Sequence, residues 1–123
     1  MIENKLKQIK TEDFIWIVYI FIIFLSFYSN DLEKNYYLYN DNISKEKYRK
    51  IIIFIFSILI IVYYYFLHSS LNDIKNLSVF ASDKEKFLKH LSATGSLLIF
   101  ISGLIFLYIA VVDDDLSVEL AFN

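Results

Sequence analysis

Three stretches of the chain, 14–30, 51–72 and 90–112, run for 17, 22 and 23 residues without an Asp, Glu, Lys or Arg. Each lies within the roughly 17–25 mainly apolar residues that an α-helix needs to cross the hydrocarbon core of a bilayer. A helix of a soluble bundle would instead show a polar face recurring about every 3.6 positions. In "IIIFIFSILIIVYYYFL", residues 51–67, Ser57 is the only non-aromatic polar residue, so no polar face exists. One helix that is apolar all round can be the centre of a large soluble core. Three of them in 123 residues leave no protein to cover them. The pattern therefore predicts an all-α integral membrane protein. We expect a single membrane domain over 1–123, with three transmembrane helices in an antiparallel up-down-up arrangement and spans near 14–30, 51–70 and 92–112.

The polar connectors, 31–50 and 71–91, carry helical patterns of their own, so the helices are expected to extend past the bilayer at the hairpins. Tyr28, Leu32, Tyr36 and Tyr39 continue one helical stripe beyond the first span. The turn falls at "NDN", residues 40–42, where Asn and Asp favour turn geometry, and Ser44 is the expected cap of the next helix. Leu71, Ile74 and Leu77 prolong the second helix to a stop near "FAS", 80–82, because Ser82 and Glu85 form an S-x-x-E capping box for the third. Phe87, Leu88 and Leu91 then offer an apolar stripe facing back across the hairpin. Proline is absent, and both glycines, Gly95 and Gly103, fall in the third span. Ahead of the first span, Ile2, Leu6 and Ile9 share one side with Lys5, Lys7 and Lys10 around the rest, the pattern of an arm lying in the membrane interface. "TED" and "SFYSND" around the first span do not suit a cleavable signal peptide, so that span is expected to stay.

Charge adds an orientation. Three of the twelve basic residues precede the first span, five lie in the first connector (Lys34, Lys45, Lys47, Arg49, Lys50), four in the second (Lys75, Lys84, Lys86, Lys89), and none in the acidic tail 113–123. An N-terminus inside places seven basic residues in the cytoplasm against five outside, which the positive-inside rule favours by two. With an Ile, Phe and Tyr bias of the kind an AT-rich genome produces, the expected location is a bacterial cytoplasmic membrane. The net charge of -2 does not point to nucleic acid, and the absence of cysteine excludes disulfides and thiol catalysis.

Candidate chemistry is sparse. An ionisable residue inside a span is a functional-site signal, because burying its charge in lipid is costly, and the apolar runs hold none apart from His68 and His90 at their edges. Two histidines without a partnering carboxylate read as interfacial anchors rather than a metal site. Ser26, Ser57 and Ser102 lack a base within reach and are expected to bond their own helix backbone or a neighbouring helix. Trp16, Tyr28, Tyr108 and the tyrosines at 63–65 suit an aromatic belt at headgroup level. The sequons at Asn42 and Asn76 are three-residue patterns of little specificity. No catalytic residue, metal site or cofactor is expected.

The most informative surface is on the third span. At about 100° per residue, Ser92, Ser96, Gly103 and Ala110 fall within roughly 40° of one another, flanked by Ile99 and Phe106. Small residues let helix backbones approach closely, so this is the expected helix-packing face. Two functions fit. One is a non-enzymatic membrane protein acting through helix contacts, as an accessory subunit, scaffold or immunity-type regulator, with the bilayer and another membrane protein or a second copy as partners. The other is a holin-like pore-former, which would resemble that class better with a basic C-terminal tail in place of "DDDLSVELAFN".

Overall fold

The computed structural model describes residues 2–120. They form three α-helices and, among the described residues, no strand: α1 is Ile2–Tyr39, α2 is Asn42–Lys75 and α3 is Asp83–Val112. At 1.5 Å per residue, their 38, 34 and 30 residues make rods of about 57, 51 and 45 Å. Each is longer than the ~30 Å hydrocarbon core, and each is apolar enough to cross it. The chain is thus an all-α, multi-pass integral membrane protein whose helices project beyond the bilayer.

The helix ends follow from local chemistry. Asn40 takes a left-handed conformation (φ 55°), which Asn tolerates better than most residues. Its N–H donates to the Tyr36 carbonyl at 2.8 Å, closing α1 in the αL manner. Asp41 then caps α2: its carboxylate accepts from the Ile43 N–H at 3.0 Å and from the Ser44 hydroxyl at 2.8 Å. The expected cap at Ser44 is corrected accordingly. Both residue types can cap, but Asp41 stands where its carboxylate meets the first free N–H groups, and Ser44 donates back to it. The Ser44 hydroxyl, followed by nearby backbone N–H groups and the charge of Lys47, holds the Asp41 carboxyl below its ordinary pKa.

The second helix does run past His68, but it ends at Lys75, short of the expected stop at 80–82. Single turns bonded Leu77 to Ile74 and Ala81 to Ser78 replace it, and Val79 and Phe80 stand exposed at the tip. Ser82 caps α3 as expected, its hydroxyl accepting from the Glu85 N–H at 3.1 Å. The stripe of Phe87, Leu88 and Leu91 does not turn inward: all three are exposed. Nor is the N-terminal arm separate from the first span, because residues 2–13 are the uninterrupted start of α1.

Packing separates into two compact units, one made of α1 and α2 through Ile55, the other of α2 from Phe56, α3 and the segment after it. In the first unit, α1 buries Ile15, Ile22, Ser29 and Leu32, the first three at seven-residue intervals. The Lys45 ammonium sits 5.3 Å from the centre of the Tyr36 ring, so the hairpin pairs residues whose numbers sum to about 81, and Ser29 lies level with Ile52. Along α2, Tyr48, Ile52 and Ile55 are buried in the first unit and Leu59 and Val62 in the second, at alternating four- and three-residue steps along the helix. That 3.5-residue average keeps a seam against a neighbour over several turns.

In the second unit, α2 and α3 are antiparallel, as the pairs Phe56–Phe106 (ring centroids 5.8 Å), Tyr64–Phe100 (6.0 Å) and Ser70–Ser96 (3.0 Å between hydroxyls) require. Beyond α3 the chain turns on Asp113, whose carboxylate accepts from the Val118 N–H at 2.9 Å and from the Ser117 hydroxyl and N–H at 2.9 and 3.2 Å. Leu116 adopts φ 53° to bring those groups round, a conformation that costs of order 1–3 kcal/mol in a non-glycine residue.

The Val118 N–H, and then the Ser117 groups, hold the Asp113 carboxyl below its ordinary pKa. A lowered folded pKa stabilises the turn at all pH values above the unfolded pKa, and the contribution is lost as pH falls through the folded value. Amide exchange at Ser117 and Val118 should accordingly stay slow at neutral pH relative to its intrinsic rate. That protection should begin to fall once pH drops below the ordinary carboxylate pKa, disappear as pH passes the lowered folded value, and be missing at all pH values in Asp113→Ala. Protection unchanged in the alanine variant would show that the turn does not depend on this carboxylate.

Candidate functional site

Within the second unit, two small residues of α3, Ser96 and Gly103, meet α2. Gly103 is buried, and a Cβ placed on it would lie 3.1 Å from Tyr63 Cδ2 and 3.3 Å from Ile60 Cγ1. The Tyr63 ring and the Ile60 side chain thus rest against bare backbone. Ala110 is buried two turns further along α3. Ser96 is half-buried and exchanges its hydroxyl hydrogen bond with Ser70. Ser92 shares their side of the helix but is exposed, because at its level the helices leave a cavity between them. Of the flanking residues, Phe106 packs on Phe56 while Ile99 is exposed.

Three contributors to this packing carried no clear sequence signal. Ala93 is buried on α3, although it lies about 60° from Ser96 around the helix. Ser70 supplies the hydroxyl that meets Ser96, a pairing visible only once the hairpin register is known. Tyr63 was expected in an aromatic belt. Consecutive residues on a helix point about 100° apart, so the tyrosines at 63–65 cannot share one role: Tyr63 covers Gly103, and Tyr64 meets Phe100 and stacks on His68 at 6.3 Å. Trp16, Tyr28 and Tyr108 are exposed, as belt residues are.

Ser26 and His90 bond their own helices. Ser26 donates to the Ile22 carbonyl at 2.8 Å, and the fully buried Ser29 donates to the Ser26 carbonyl at 2.9 Å. Hydroxyls that bond the preceding turn in this way satisfy themselves without a partner helix. His90 Nδ1 lies 2.8 Å from the Lys86 carbonyl. The α2–α3 register sets His68 level with residues near 97, about two turns from His90, so the two imidazoles do not converge. Among the described residues no group of three His, Cys, Asp or Glu side chains is placed to hold a metal ion. The arrangement offers van der Waals surface and hydrogen-bonded hydroxyls in an uncharged setting, which serves helix association. No family model matches the chain, and no curated protein or solved structure matches it either.

Proposed function

We propose that this small integral membrane protein is non-enzymatic and works through helix–helix contacts, as an accessory subunit, scaffold or immunity-type regulator of a membrane complex, with another membrane protein or a second copy as partner. The observation that carries this reading is the character of the α2–α3 contact. It is built from a buried glycine under Tyr63 and Ile60, two aromatic pairs and a single Ser–Ser bond, within spans that hold no Asp, Glu, Lys or Arg. Proton relays and ion-coupled transport depend on such groups at membrane depth. Packing of small residues is, by contrast, the ordinary means by which helices associate in lipid.

Crosslinking in intact membranes, followed by identification of the co-purifying chain, tests the reading directly. A defined membrane partner, or a crosslinked ladder of this chain alone, is the expected result. Induced expression separates the reading from a pore-former. Membrane potential should hold as the protein accumulates, whereas abrupt dye entry and lysis at a threshold level would replace the packing role with a holin-like one.

The proposed location is a bacterial cytoplasmic membrane with the N-terminus inside, on the seven-to-five division of basic residues. Cysteines introduced at Lys84 and Ser117, on either side of the third span, should then react with a membrane-impermeant reagent from the cytoplasmic and the external side respectively. The reverse assignment would invert the orientation, and labelling of both from one side would remove the third span.

A further inference from the structure

We propose that the cavity at the loop end of the α2–α3 hairpin binds the phosphoethanolamine headgroup of a membrane lipid. The cavity measures about 460 Å³, within the ~300–1,000 Å³ range of small-ligand sites. Ser70 and Asp73 line it from α2, and Lys84, Glu85, Lys89 and Ser92 from α3. Ser70 also hydrogen-bonds Ser96, one turn further along α3 from Ser92.

Three properties converge on that ligand. The first is depth. Ser70 and Ser92 stand at the ends of their spans, so at 1.5 Å per residue Asp73 and Lys89 lie about 4.5 Å beyond them and Glu85 about 10 Å. The headgroup layer is roughly 5–8 Å thick on each side of the hydrocarbon, so Asp73 and Lys89 stand within it and Glu85 just beyond its outer edge. The second is charge. Two ammonium and two carboxylate side chains line the same space, and among the described residues no ion pair joins them. A zwitterion that carries its own phosphate and ammonium answers both signs, whereas a purely anionic headgroup would set its phosphate against Asp73 and Glu85. The third is donor chemistry. A primary ammonium brings three N–H donors to carboxylates and serine hydroxyls. A trimethylammonium brings none and is ordinarily held by aromatic faces, which the lining lacks.

Native mass spectrometry of the full chain ejected from nanodiscs of equal phosphatidylethanolamine, phosphatidylcholine and phosphatidylglycerol tests the assignment. Phosphatidylethanolamine should be retained roughly threefold over either other lipid, the scale of one part-exposed ion pair. Asp73→Asn and Lys89→Gln should each bring the ratio near one, while Lys50→Gln, outside the cavity, should leave it. Equal retention of the three lipids, a preference for phosphatidylglycerol, or a ratio indifferent to Asp73→Asn and Lys89→Gln would overturn the proposal. Displacement of the lipid by millimolar free phosphoethanolamine would overturn the lipid as source and leave a soluble ligand in its place.

Discussion

Ile55→Ala is expected to destabilise the folded helices by about 2 kcal/mol, while Ile61→Ala, six residues further along the same helix, changes stability by less than about 0.5 kcal/mol. Ile55 is 0% exposed and Ile61 is 71% exposed. In a water-soluble core the Ile→Ala change costs roughly 2–5 kcal/mol, the sum of lost transfer energy and a residual cavity. In a bilayer the transfer part shrinks, since lipid tails are as apolar as a core, and the cavity part remains because no acyl chain reaches a fully enclosed position. This places the expectation at the lower end of the range. At Ile61 lipid fills the space the side chain leaves. Reversible unfolding in mixed micelles, followed by circular dichroism, compares the two, and equal losses would mean that Ile55 faces lipid after all.

The second large effect separates the two glycines. Gly103→Leu should weaken the α2–α3 contact by about 1–3 kcal/mol, because the Cβ alone meets Tyr63 at 3.1 Å and Ile60 at 3.3 Å and the rest of the side chain has no space to enter. Gly95 has nothing within 4 Å of an added Cβ. There, leucine replaces the weakest ordinary helix former with one of the best, a gain of up to ~1 kcal/mol. The two substitutions are identical on paper and are expected to differ in sign. Gly103→Ala should fall near zero, its helix-propensity gain offset by a small displacement of the Tyr63 ring. Leu104→Ala, at an exposed position, should also matter little. Thermal unfolding of the four variants in one detergent decides the matter, and similar losses for Gly95→Leu and Gly103→Leu would leave the small-residue face without a packing role.

Everything that rests on the contrast between lipid and water could be read from the residues alone. A run of about 20 uncharged residues must bond its own backbone in hydrocarbon, and a helix is the way one segment does so. The three spans and their helical extensions were therefore legible before any coordinates. Local chemistry made the turn after Tyr39 and the cap at Ser82 legible too, since Asn, Asp and Ser satisfy free backbone groups within a few residues of themselves. Where two such residues stood close together, the reading took Ser44 for the cap and the structure uses Asp41. The stop of α2 was misplaced for a related reason: a repeating apolar triplet is compatible with helix but does not compel it.

Which side of each helix faces protein emerged only from the packed helices. In water, polarity marks the outside. In lipid the two sides are equally apolar, so Ile52, Ile55, Leu59 and Val62 are buried while Ile61 and Phe54 are exposed, with nothing in their chemistry to tell them apart. The 3.5-residue seam along α2 was hidden because the positions between its members are apolar as well. Side-chain size was the one property that survived this loss of contrast. A glycine reveals itself in any solvent, and Gly103 lies under Tyr63, although Gly95, identical in sequence terms, lies in open space. Neither polarity nor size foretold the cavity beside Ser70 and Ser92, because it depends on where α2 ends, how the 76–82 segment returns, and which charged side chains that return brings to one level.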